Sequence, residues 1–218
     1  MTRTVRLLAL LLFLLAAACA RPVPNLWETH EAIYAYHDSG RFEADTARTA
    51  SDAQAYMARR LAQGVQRPAL VLDVDDTALS TFAFARSRGF WYQKDAYEAH
   101  EAEASLPAIG PVRDLANWAA QQGVAVFFVT GRPQALCPAT RLNLERQGYA
   151  RIDAVVCRPP RKEGEPRLPA AVWKPEARAA IAAQGHAILV TMGDQESDIT
   201  GGHAERGYKL PNHVYRVP

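Results

Sequence analysis

Four short, unbroken apolar runs decide what this chain can fold into: "ALVLDV" at 69–74, "VAVFFVT" at 124–130, "IDAVVC" at 152–157 and "AILVTMG" at 187–193. A run without polar alternation belongs to a strand covered on both faces, the habit of parallel sheets. Helical patterns stand between the runs, near 109–122, 133–147 and 174–184. Pro111, Pro133 and Pro175 sit where first-turn residues belong, and Gly123, Gly148 and Gly185 sit where helices stop. Alternation of this kind, with right-handed crossovers, predicts an α/β fold: a Rossmann-like parallel sheet with helices on both faces. Two more helices, about 25–36 and 43–63, precede the first strand, with Ser39-Gly40 as the break between them.

One connection is too long for the rhythm. Some 30 residues, Ser80 to Gly110, separate the first strand from the next helix, and they carry Phe82, Phe84, Phe90, Trp91, Tyr92 and Tyr97. A long insertion at that position is expected to form a small helical cap, at about 81–109, over whatever the sheet edge binds. Its rings are read as cap core, with a substrate platform as the competing reading. The expected division is therefore a leader at 1–18, a helical region at 19–68 packing beside the cap, and an α/β core at 69–218. With 25 Lys and Arg against 23 Asp and Glu, nothing at whole-chain level calls for a nucleic-acid partner.

The leader "MTRTVRLLALLLFLLAAACA" places Arg3 and Arg6 before an apolar run from Leu7 to Ala18. That run is short for a membrane span and suits a signal-peptide core. Ala16-Ala17-Ala18-Cys19 resembles a bacterial lipobox, which makes Cys19 the expected lipidation site and the outer membrane the expected address. Ordinary cleavage to a periplasmic or secreted form is the other outcome. Export permits a disulfide between the two remaining cysteines, Cys137 and Cys157. A bridge and two buried thiols fit the sequence equally.

Ligands of open α/β sheets bind at the carboxyl ends of the strands. There the chain places Asp73 and Asp75 after the first run, Thr130, Gly131 and Arg132 after the second, and Asp194 and Asp198 after the fourth, with Lys174 on the helix leading into it. Crowded carboxylates repel unless a cation holds them, and a few hard oxygen ligands suit Mg²⁺. The combination reads as phosphoryl transfer. Asp73 is the expected nucleophile, and Asp75 the acid to the leaving oxygen and base to water. Thr130, Gly131 and Lys174 bind the phosphate, Asp194 closes the metal site, and Asp198 orients Lys174 or a metal-bound water. Asp76 carries no assigned step. Arg178, one turn beyond Lys174, is read as a structural ion pair in preference to a substrate contact.

In order along the chain, "DVDDT", "VTGR", a lysine and "GDQESD" resemble the four motifs of the haloacid dehalogenase superfamily of phosphohydrolases. "VLDVDDTALS", "WKPEAR", "GDQESDITGG" and the tail "YKLPNHVY" further resemble its acid-phosphatase branch, which holds bacterial class C lipoprotein acid phosphatases and plant vegetative storage proteins. The resemblance runs from about residue 25 to the end. It implies Asp73 as nucleophile and metal ligand, Asp75 as acid/base and backbone-carbonyl metal ligand, Thr130 and Lys174 as phosphate binders, and Asp194 as metal ligand.

These observations predict an exported, Mg²⁺-dependent acid phosphatase acting on small phosphomonoesters, nucleoside monophosphates or aryl phosphates among them. Phosphotransfer through the same intermediate, or ligand binding by a non-catalytic surface lipoprotein, are the alternatives.

Overall fold

The structure is a computed structural model and describes residues 23–161, 164, 166 and 168–217. The leader and Cys19 lie outside the described residues. The chain divides into a small unit ending at Ala35 and a larger one from Tyr36 to Pro218. In the small unit, Asn25 opens helix α1 (Leu26–Asp38) by accepting from the backbone N–H of Trp27 at 2.9 Å. Among the described residues no helix is long and apolar enough to cross a membrane.

The larger unit contains the last turn of α1 and then α2 (Arg41–Ala62) and β1 (Pro68–Leu72). The insertion follows with α3 (Phe82–Ser87) and α4 (Lys94–Ala102). Next come α5 (Gly110–Gln121), β2 (Ala125–Pro133), α6 (Cys137–Arg146), β3 (Ala154–Arg158), α7 (Ala170–Ala183), β4 (Ala187–Gly193), the single turn α8 (Glu196–Ile199) and β5 (Arg206–Lys209). The strands form one five-stranded sheet in the order β3-β2-β1-β4-β5, and every pairing is parallel. The expected α/β architecture is present.

Apolar side chains leave both faces of the sheet. Leu70, Leu72, Val126 and Phe128 join Met57 of α2 and Leu115 of α5 on one side, and Val71, Phe127 and Val129 join Trp173 and Ile181 of α7 on the other. Each such side chain taken from water contributes about 1.5–3 kcal/mol. The continuous runs were needed because neither face is wet.

Three local readings are corrected. Pro133 ends β2, and Pro138 takes the first turn of α6 instead. Helix α7 starts at Ala170, so Pro175 lies inside it, where it can donate no backbone hydrogen bond. The strand Arg206–Lys209 went unseen, because "RGYK" offers neither an apolar run nor alternation. Cys137 and Cys157 are bridged, with their Cα atoms 5.9 Å apart. The bond ties the first residue of α6 to β3 at the position that pairs with Thr130 of β2.

The insertion is anchored by side chains of α6 and of the residue that follows it. Asn143 accepts from Leu106 N and donates to Leu106 O, at 3.0 and 2.8 Å. Gln147 accepts from Ala108 N at 3.0 Å. Within the larger unit, His37 stacks on Phe82 with ring centres 3.6 Å apart, and Phe84 stacks on His100 at 4.2 Å. Trp91 and Tyr92 remain largely exposed.

Candidate active site

Strand β1 delivers Asp73 to the carboxyl edge of the sheet, and its backbone N–H is bonded to Met192 O of β4 at 2.9 Å. The side chain is buried and accepts from Lys174 Nζ at 2.7 Å. Lys174 also pairs with Asp198. Burial opposes the Lys174 ammonium, but Asp73 and Asp198 outweigh it and hold its pKa above the ordinary lysine value. Asp73 is pushed up to about 7, by burial first and by Asp198 next, with Lys174 pulling the other way.

Asp194 and Asp198 come from the end of β4 and the turn α8. Asp198 sits at the third position of that turn and accepts from Gln195 N at 2.9 Å, as a capping residue does. Gly193 has to be a glycine, because a Cβ there would collide with the Asp198 carboxylate. Burial also raises Asp194, to about 6. Oxygens of Asp73, Asp194 and Asp198 lie within 4.8 Å of one another, all three residues being buried. Three carboxylates facing one lysine leave an excess of negative charge in a space shielded from water. That donor set fits a hard divalent cation with oxygen ligands.

The Asp75 side chain turns away from this cluster toward β2. Arg132 grips it, with Nη2 at 2.6 Å from Oδ1 and Nε at 3.1 and 3.2 Å from the two oxygens. Thr130 Oγ1 stands 3.4 Å from Asp75 Oδ2 and accepts from Arg132 N at 3.2 Å. Arg132 is itself buried, bonded to Thr140 at 3.2 Å, and 3.8 Å from Glu101 of α4. Burial, followed by the charge of Asp75, pushes Glu101 up to about 8.

Of the sequence-predicted residues, Asp73, Lys174, Asp194 and Asp198 therefore converge at one point. Asp75, Thr130 and Gly131 flank it, and Asp73, Asp75, Gly131, Lys174 and Asp194 line a single cleft of about 510 Å³. Asp198 stands in the carboxylate cluster and pairs with Lys174. Asp75 contributes no side-chain oxygen to the cluster.

Several residues were missed or misjudged. Arg132 is visible in the sequence but its grip on Asp75 is not, and nothing in the sequence singles out Glu101. Arg178 makes no ion pair among the contacts described. Its guanidinium donates to the carbonyls of Asp198 at 2.9 Å, Gly202 at 3.0 Å and Thr200, bracing the loop after α8. Asp76 is a structural residue. With φ at 51° it occupies the left-handed region that aspartate tolerates better than most, and it accepts from Thr81 N and Oγ1 at 2.8 and 2.7 Å. It thereby ties the loop after β1 to the start of α3.

The same cleft is lined by Phe90, Tyr92 and Tyr97 of the insertion and by Tyr215 of the tail. Burial and the nearby carboxylates keep the Tyr215 hydroxyl well above its ordinary pKa, so it stays protonated.

Comparison with known proteins places the chain in a family and matches its fold. Residues 20–218 match the family described as HAD superfamily, subfamily IIIB (acid phosphatase). The stem 28 kDa glycoprotein of Glycine max is 28% identical over 196 residues, covering 87% of this chain and 75% of that protein. Acid phosphatase 1 of Solanum lycopersicum is 27% identical over 155 residues, covering 69% and 60%. Among solved structures, the class C acid phosphatase from Bacillus anthracis superposes with a TM-score of 0.70 at 22% identity, covering 87% of this chain and 85% of that one.

Proposed function

Because the chain belongs to the HAD superfamily, subfamily IIIB (acid phosphatase), we propose that it hydrolyses small phosphomonoesters with a divalent cation, Mg²⁺, through a phosphoryl group carried on Asp73. The observation that carries the reading is the buried cluster of Asp73, Asp194 and Asp198 with Lys174 Nζ 2.7 Å from the Asp73 carboxylate, at the floor of the cleft.

In this reading an Asp73 oxygen attacks phosphorus, and the bond to the leaving oxygen breaks. Asp75, held by Arg132 at the mouth of the same loop, gives its proton to that leaving oxygen. It then takes a proton from the water that releases phosphate from Asp73. Lys174 neutralises charge on the nucleophile and on the phosphoryl oxygens, and the Thr130 hydroxyl and Gly131 N–H hold those oxygens in place. Asp73, Asp194 and the Asp75 main chain would hold the cation, with Asp198 beside them, and it would supply Lewis-acid charge neutralisation. Aromatic side chains along the cap wall favour a substrate with an aryl or base ring, since such stacking contributes about 1–3 kcal/mol.

Export and lipid attachment at Cys19 belong to the same proposal and rest on the leader sequence. Phosphate release from an aryl phosphate is the test. Release that requires Mg²⁺, stops with chelator and disappears in Asp73→Asn supports the reading. Release by metal-stripped protein would sink its metal part, and release by folded Asp73→Asn its nucleophile.

A further inference from the structure

The C-terminal tail supplies no group to the proposed chemistry, yet one of its side chains ends on Asp194 and its backbone holds Gln195, which ends there too. Asp194 Oδ2 receives Asn212 Nδ2 at 2.5 Å and Gln195 Nε2 at 2.6 Å. Neither amide is able to turn round. Asn212 Oδ1 already accepts from the backbone N–H groups of Val214 and Tyr215 at 2.8 and 3.2 Å. Gln195 Oε1 accepts from Val217 N at 2.9 Å. With each carbonyl end held by the tail, each NH₂ end is forced toward the carboxylate. The tail enters this position by pairing Leu210 N with Gly193 O at 2.8 Å and by burying the Leu210 side chain.

The consequence for Asp194 is an asymmetric carboxylate. Oδ2 has two amide donors, while Oδ1 has only the Thr77 hydroxyl at 3.4 Å among the hydrogen bonds described. Two amide donors on one oxygen fix the plane of the carboxylate. Partners of this type around a metal ligand typically control affinity by 10–100-fold.

We propose that residues 210–217 are a positioning clamp for the cation site, in which Asn212 and Gln195, locked by the tail backbone, hold the Asp194 carboxylate oriented for the metal. The inference rests on Asp194 being a ligand, as proposed above. Asn212 and Gln195 are positioning residues, acting only through Asp194.

The test is calorimetric titration of MgCl₂ into metal-stripped protein, with thermal melting of the same samples. Asn212→Ser keeps an acceptor for the turn at Val214 and Tyr215, since serine makes such turns more weakly, but it removes the NH₂ donor. Gln195→Met keeps length without the amide. Each is expected to weaken Mg²⁺ binding by roughly tenfold or more, while the metal-free protein still melts as a folded protein. Should one variant fail to fold, the other decides. Unchanged affinity in the variants, beside weakened affinity in Asp194→Asn, would overturn the clamp and leave the metal site standing. Unchanged affinity in Asp194→Asn would overturn the clamp by removing its premise, a failure of the metal-site reading and distinguishable from the first.

Discussion

The two sides of the carboxyl edge follow opposite charge plans. Between β1 and β4, Asp73, Asp194 and Asp198 surround the Lys174 ammonium, so the group is short of positive charge. Between β1 and β2, Arg132 stands between Asp75 and Glu101, and its guanidinium also bonds Thr140. The first side is built from strand ends and a helix fixed by the sheet. The second recruits a residue of the cap. A carboxylate cluster with too little compensation is stable only when a cation completes it, whereas a guanidinium between two acids can hold its geometry alone. The difference separates the proposed seat of the cation from the group that handles the proton.

The largest expected effect is on the short-charged side. Lys174→Met should lower kcat by about 10²–10³, on the scale of other preorganised charges in active sites. It should also lower the melting temperature of metal-free protein, because buried carboxylates lose their partner, and added Mg²⁺ should recover much of that loss. Equal melting with and without the lysine would break the comparison.

Next in size is the covalent brace on the other side. Cys137→Ser with Cys157→Ser opens a loop of 20 residues, and chemical denaturation should record a loss of about 3 kcal/mol. Since the bond adjoins Thr130 and not the carboxylate cluster, Mg²⁺ affinity should change far less than stability does.

Arg132→Lys preserves charge but not the two-pronged grip on Asp75. A loss of about tenfold in kcat, or about 1.4 kcal/mol, is expected to fall more heavily on alkyl than on aryl phosphates, because a poor leaving group depends most on the proton. A uniform loss would indicate that Arg132 serves substrate binding instead.

The smallest effect concerns pH. Glu101 is raised in the folded protein from 4.5 to about 8, so between those values the folded state binds more protons than the unfolded chain. Its contribution to stability therefore falls as pH rises through that window. Glu101→Gln should make the decline in melting temperature from pH 5 to pH 8 shallower. An unchanged slope would show that Glu101 titrates normally.

Sequence legibility follows the same division. Asp73, Asp194 and Lys174 could be read because each stands at a strand end or a short motif whose position in an α/β sheet is fixed. The four long strands could be read because both sheet faces are buried. Glu101 could not, since it belongs to "YEAHEAEA", where nothing in the pattern says which acid turns inward. Asp76 was opaque because its role is a left-handed turn. Arg178 was misread because three backbone carbonyls, which leave no trace in the sequence, took the place of an acidic partner. Asn212 was quoted within a recognisable tail, yet its contact with Asp194 spans 18 residues and appears only after β5 has paired.

The central claim is that Asp73 carries the phosphoryl group. Acid-quenching the Mg²⁺-loaded enzyme during turnover and mapping its peptides by mass tests this most directly. The account predicts added mass equal to one phosphoryl group on the peptide containing Asp73, abolished by Asp73→Asn and by chelator. Full phosphate release with no phosphoryl on that peptide, or with it on a different residue, would contradict the account.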